Sequence, residues 1–190
     1  ILRQLPAKQL KKEKPYEGFW AKIKATSKSF SIEDNCGGIP RSIAKDSAFR
    51  LGRPDLKRDQ DIPTVGMYGI GMKRAVFKMG RHTKVISKHN DESYIVEIPS
   101  EWLTDDTDWE LAMKDIKTDW DHNGTSVAVT DLYPNIATQF DPKSPAGDIF
   151  LTNLQKEIAK LFALIMRKGF KVFLNGVSID PVSLDILTSA

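Results

Sequence analysis

Two glycine clusters constrain this chain more than any other feature of it. The first, in "SIEDNCGGIP" (residues 31–40), follows an alternating apolar run and so stands at the exit of a strand. The second, in "TVGMYGIGMKRA" (residues 64–75), opens straight into a helical pattern. A turn alone would explain the first cluster, because a residue without a β-carbon accepts positive φ at little steric cost. A turn does not explain why a second cluster follows at the start of a helix.

The chain around the clusters reads as short strands followed by helices. "FWAKIKATSKSFSIEDN" gives two strands joined at "TSK", with Phe19, Ala21, Ile23 and Ala25 alternating with lysines, and Phe30 and Ile32 alternating with serines. From Ile39 to Leu51, Ile43, Ala44, Ala48 and Leu51 share a helical face, with Pro40 tolerable in a first turn. A polar stretch with two prolines and several glycines follows, and its length suits a functional lid over residues 46–68. "MKRAVFKMG" predicts a short helix closed by Gly80. "RHTKVISKHN" and "ESYIVEIPSEW" alternate as strands and meet at "NDE".

Residues 103–121 mix acids with Trp109, Leu111, Met113 and Ile116 and read as a strand with flanking loops; "GTSVAVTDLY" reads as another strand. "DIFLTNLQKEIAKLFALIMRKGF" is the longest helical pattern, with Leu151, Leu154, Ile158, Leu161, Phe162 and Ile165 on one face and Gly169 at its end. "KVFLNGVSI" closes the sequence with a strand and an Asn-Gly turn. No repeat or linker divides two cores, so the expectation is one α+β domain over residues 1–190, a mixed or antiparallel sheet with helices on one face.

Composition narrows the function classes. A net charge of +3 over 190 residues is too small to argue for a nucleic-acid partner. A single cysteine, Cys36, cannot form an internal disulfide, and the longest apolar run, near "LFALIM", is far too short to span a bilayer. The expectation is a cytoplasmic protein with no membrane partner. His82, His89 and His122 lack the spacing of a metal site, and no metal ligand is assigned. Trp102, Trp109 and Trp120 have no dense basic neighbours, so they suit packing or partner contacts better than base stacking.

The chemistry follows if the two clusters lie across one pocket. A carboxylate at a strand end, Asp34, accepts hydrogen bonds without donating and suits the exocyclic amine of an adenine. Glycines at a helix entry expose amide N–H groups that favour a phosphate, and Lys73 adds a charge in the first turn. No G-x-x-x-x-G-K-[S/T] occurs, so the usual phosphate-binding loop is excluded.

"EDNCGGI", "TVGMYGIGMKRA" and "HNGTSVAV" resemble, in order and spacing, the second, third and fourth motifs of the GHKL ATPases, which include gyrase, the heat-shock chaperone, histidine kinases and mismatch-repair ATPases. The resemblance runs from about Trp20 to Ile179 and implies the Bergerat fold, a two-layer sandwich with a mixed, mostly antiparallel sheet. The lysine of "GIGMKRA" is similar to the microrchidia type. The later helix and closing strands are also similar to the heat-shock chaperone and to bacterial ATP-binding proteins of that class.

Carried over, the resemblance implies that Asp34 binds the adenine amine, Gly38 keeps the base pocket open and Ile39 packs on the ring. Gly66, Gly69 and Gly71 would shape the lid hinge and phosphate contacts, with Met72 and Lys73 at the triphosphate and Tyr68 and Ile70 completing the cofactor-binding set. Thr125 would support the hydrogen-bond network around Asp34. ATP with Mg²⁺ is the implied cofactor, and slow hydrolysis driving lid closure and homodimerisation, toward an unidentified client, is the implied activity of the complete protein.

Two departures qualify the resemblance. Cys36 stands where the family's D-x-G-x-G has its first glycine, and a left-handed backbone there would cost energy. The family's first motif is a helix whose glutamate activates water and whose asparagine helps hold Mg²⁺. No E-x-x-x-N precedes Asp34: Glu13 and Glu17 have no such asparagine, and Pro15 interrupts them. Residues 1–190 are therefore expected to lack that helix, either because this sequence starts after it or because the protein has lost it; no residue stands as catalytic, and a scaffold that binds nucleotide without hydrolysis, or binds none, is the alternative.

Overall fold

The computed structural model describes residues 5–45, 71–103 and 111–183. Among the described residues, eight strands form one sheet: β1 (Trp20–Ala25), β2 (Ser29–Asp34), β3 (Gly80–His89), β4 (Glu92–Ile98), β5 (Met113–Asp115), β6 (Gly124–Leu132), β7 (Lys171–Leu174) and β8 (Val177–Ile179). Their order across the sheet is β5-β4-β3-β6-β2-β1-β7-β8. β1 and β7 run parallel and the other neighbours antiparallel, giving the mixed, mostly antiparallel sheet expected from the sequence.

The registers decide which side chains share a face. Phe30 pairs with Val129 and Val129 with Thr83, while Val127 pairs with Val85 and Val85 with Val96. These residues, with Ile23, Val172 and Leu174 at the other end, form the inner face. Lys22, Lys24, Lys84 and Glu97 alternate with them onto the opposite, open face and remain exposed. One face is apolar and the other polar because side chains alternate sides along a strand.

Among the described residues the helices are α1 (Ala7–Leu10), α2 (Arg41–Ile43), α3 (Gly71–Met79), α4 (Pro134–Phe140), α5 (Pro145–Leu161) and α6 (Ala163–Arg167), with a 3₁₀ turn at Ser100–Leu103. Helices α3 to α6 pack on the inner face. Val76 of α3 and Phe140 of α4 pack with Ala25 and Val129, and Ile158, Ala159 and Met166 pack with Val172, Leu174 and Ile179. A third cluster joins Ala44, Val85, Tyr94, Val96, Ile98 and Trp102. Full burial of such apolar side chains contributes about 1.5–3 kcal/mol each, which makes the covered face the main stabilising layer. No helix among the described residues is long and apolar enough to cross a membrane.

Turn chemistry sets the connections. Asn90 at φ 55° turns β3 into β4, and Asn175 with Gly176, at φ 48° and 85°, turns β7 into β8 as a hairpin that needs two left-handed residues. At the start of α5 the Ser144 side chain accepts from the Gly147 amide at 2.9 Å, with Pro145 in the first turn.

Three sequence expectations change or lie outside the described residues. The long helical pattern is two helices, broken at Phe162 (φ −104°, ψ 11°), and Leu161 and Phe162 are 71% and 49% exposed rather than on the core face. Gly80 does follow α3, but as the first residue of β3 and without a left-handed backbone. A β-carbon there would lie 2.7 Å from the Thr130 carbonyl oxygen, so close approach between strands is what calls for glycine. The lid expected at 46–68, with Gly66, Tyr68, Gly69, Ile70, the end of the helix expected from Ile39, and Trp109, lies outside the described residues.

Candidate functional site

A row of inner-face residues crosses the sheet at one level. Ala21 pairs with Asp34, Asp34 with Thr125, Thr125 with Ser87, Ser87 with Tyr94, and Tyr94 with Asp115. On a largely apolar face this row is mostly polar, and Asp34 stands at the end of β2 within it. Ile32, on the same face two residues earlier, is 38% exposed, so among the described residues the helix layer does not fully cover the inner face beside Asp34.

The segment after Asp34 is held from several sides. The Cys36 amide donates to Asp34 Oδ1 at 2.7 Å, which closes a tight turn at the strand exit. Asn35 accepts from the Trp20 amide at 2.7 Å and donates to the Gly18 carbonyl at 2.8 Å, tying the turn to β1. Gly37 and Gly38 take φ of 99° and 72°, whereas Cys36 is not among the left-handed residues. The cysteine in place of the family's first glycine therefore carries no such strain. A β-carbon on Gly38 would sit 1.9 Å from the Lys88 carbonyl oxygen, so the segment can pass β3 only as glycine.

Burial raises the Asp34 carboxyl above its ordinary value, and hydrogen bonds from the Cys36 amide and thiol and from the Thr125 amide oppose the shift. Burial, together with the Asp34 charge, pushes the Cys36 thiol up to about 12, so it stays neutral. Thr125 Oγ1 lies 3.2 Å from Ser87 Oγ, which joins the carboxylate's neighbour to β3.

The second cluster's described part is the start of α3. Gly71, its first residue, is exposed, and a β-carbon there would meet nothing within 4 Å among the described residues. Met72 packs against the same apolar cluster as Ile39, which sets the start of α3 and the loop after β2 on one body of side chains. Lys73 is the third residue of α3. The first amides of any helix lack intrahelical acceptors, so this end offers donors to an anion.

The structure thus brings Asp34, Gly38, Ile39 and Thr125 together. It also adds three residues that sequence reasoning missed. Ser87 Oγ accepts from the Ile39 amide at 2.7 Å, Tyr94 Oη donates to the Ile39 carbonyl at 2.9 Å, and His89 Nδ1 lies 2.7 Å from the Gly37 carbonyl. The available signal was a polar residue at an inward position of each strand pattern, Ser87 after Thr83 and Val85, and Tyr94 before Val96 and Ile98.

Among the described residues, no group of three His, Cys, Asp or Glu side chains is placed to hold a metal. Comparison with curated proteins finds no match. Residues 19–129, more than half of the chain and including the whole polar row up to Thr125, match the family described as histidine kinase-, DNA gyrase B- and HSP90-like ATPase. With its strand-exit carboxylate, left-handed glycines and fourth-motif Gly124-Thr125 in one place, the chain belongs to that ATPase family.

Proposed function

We propose that this domain binds ATP with the adenine amine donating to Asp34 and the phosphates at the start of α3, and that binding and slow hydrolysis switch lid closure over residues 46–68 and dimerisation of the complete protein. The observation that carries the reading is the half-buried Asp34 carboxylate, raised by desolvation, beside a part of the inner face where Ile32 is exposed. A carboxylate held at a cost in a partly desolvated place gains from a neutral donor that enters beside it. Among the described residues nothing crowds Gly71, which leaves room for phosphate oxygens against the helix amides.

The described residues do not by themselves make a Mg²⁺ site. Mg²⁺ commonly keeps several waters and binds through nucleotide phosphates with one or two carboxylates, so it would arrive with the nucleotide.

Isothermal titration with a non-hydrolysable ATP analogue, with and without Mg²⁺ and beside Asp34→Asn, tests the reading. Binding to the parent chain that the substitution abolishes supports adenine at Asp34. A folded parent that binds no nucleotide overturns it, and binding without turnover in the complete protein selects the scaffold over the switch.

A further inference from the structure

We propose that Ser87 and Tyr94 are positioning residues for the base end of the nucleotide site, a role that rests on the nucleotide-binding reading above. The Ile39 amide belongs to the peptide before its Cα and the Ile39 carbonyl to the peptide after it. Ser87 holds the first at 2.7 Å and Tyr94 holds the second at 2.9 Å. With both peptides fixed, φ and ψ of Ile39 are fixed, and so is the direction in which its side chain leaves the loop. Pro40 restricts the same residue further, since the position before a proline is confined to extended backbone.

The two holders are buried within the sheet. Ser87 and Tyr94 are paired directly across β3 and β4 and are 0% and 1% exposed. The clamp also extends in both directions along the loop. His89 Nδ1 engages the Gly37 carbonyl, and the Arg41 guanidinium lies 5.4 Å from the Tyr94 ring centroid while pairing with Asp115 on β5. Gly37, Ile39 and Arg41 are therefore all held by side chains of the β3-β4-β5 edge, at every second residue after the strand-exit turn.

Such a run of contacts has a purpose beyond closing the fold. A loop of this length could satisfy its peptide groups with water, and a buried serine in a strand costs packing that valine would supply. What the clamp adds is pre-organisation: the residue that would lie against the base is already in its bound conformation, so binding loses less entropy.

The test compares the parent chain with Ser87→Ala and Tyr94→Phe, titrated with adenosine and with a non-hydrolysable ATP analogue, each variant checked for folding by near-ultraviolet circular dichroism. Each variant is expected to weaken both ligands by the same factor, about fivefold for one lost hydrogen bond. The double variant is expected to lose less than the product of the two, because one freed peptide already releases Ile39. Tyr94→Phe keeps the ring and so tests the hydroxyl even where Ser87→Ala fails to fold. Unchanged affinity in folded variants overturns the clamp alone, as does a loss confined to the ATP analogue. A parent chain that binds neither ligand overturns the nucleotide reading and the clamp with it.

Discussion

Gly124 passes so close to Asp34 that a β-carbon on it would lie 1.9 Å from the Asp34 carbonyl oxygen. The glycine of the fourth motif is thus required by the backbone of the second. Gly124 is buried and does not have a left-handed backbone, so what it provides is clearance. Gly124→Ala must push β2 and β6 apart at the level of the site, at a cost of about 1–3 kcal/mol. Thermal unfolding is expected to show a lower Tm, by roughly 2–4 °C per kcal/mol, together with loss of nucleotide binding. A variant with the parent's Tm would show that the strands part there freely.

At Asp34, stability at neutral pH is set against the proposed adenine contact. Because burial raises its carboxyl in the folded state, that state holds the proton more tightly than the unfolded chain. The group's favourable contribution is full below the ordinary carboxylate value of 3.8 and is lost as pH rises through the folded value. At neutral pH the ionised carboxylate is a cost. Asp34→Asn keeps an oxygen for the Cys36 amide and removes that cost, so its Tm at neutral pH is expected to equal or exceed the parent's. Its Tm should also fall less between acid and neutral pH. A lower Tm for the asparagine variant at neutral pH would contradict this assignment. In the parent, adenine binding is expected to weaken as pH falls through the raised value, because the protonated carboxyl loses acceptor strength.

The strands were legible in the sequence and the polar row across them was not. Alternation identifies the inward set Phe30, Ile32 and Asp34 on β2 and Thr83, Val85 and Ser87 on β3. Which residues face each other depends on register, which one strand read alone does not encode. The Asp34 to Tyr94 row therefore becomes visible only when β6 is placed between β2 and β3. The helix break at Phe162 escaped for a related reason. Leu151, Leu154, Ile158, Leu161 and Ile165 fit one continuous 3.6-residue period, and nothing in that pattern marks where the backbone resets. Beyond the break Ala163 and Met166 are the buried positions.

That reset yields a contrast along α5 and α6. Ile158 is 6% exposed against β7 and β8, whereas Leu161 is 71% exposed one turn later. Ile158→Ala is expected to cost about 2–5 kcal/mol through lost burial and a cavity. Leu161→Lys is expected to stay within about 0.5 kcal/mol of the parent. Denaturant titration of both variants measures the difference, and a large loss for Leu161→Lys would mean that the helical pattern runs unbroken through Phe162.

Cys36 gives the sharpest test of how the departure from D-x-G-x-G is accommodated. Its backbone is not left-handed, so a glycine there relieves nothing and only adds freedom to the unfolded chain. Cys36→Gly, which restores the family pattern, is expected to lower stability by about 0.4–1 kcal/mol without improving nucleotide affinity. The thiol itself, pushed up to about 12 by burial and by the Asp34 charge, is neutral at pH 8 and a poor nucleophile. Alkylation by iodoacetamide is expected to be many times slower in the folded protein than in denaturant. It should accelerate in Asp34→Asn, where the neighbouring negative charge is gone. A folded chain that alkylates as fast as the denatured one would show that Cys36 is open and ionised, and the half-buried turn at the exit of β2 would have to be redrawn.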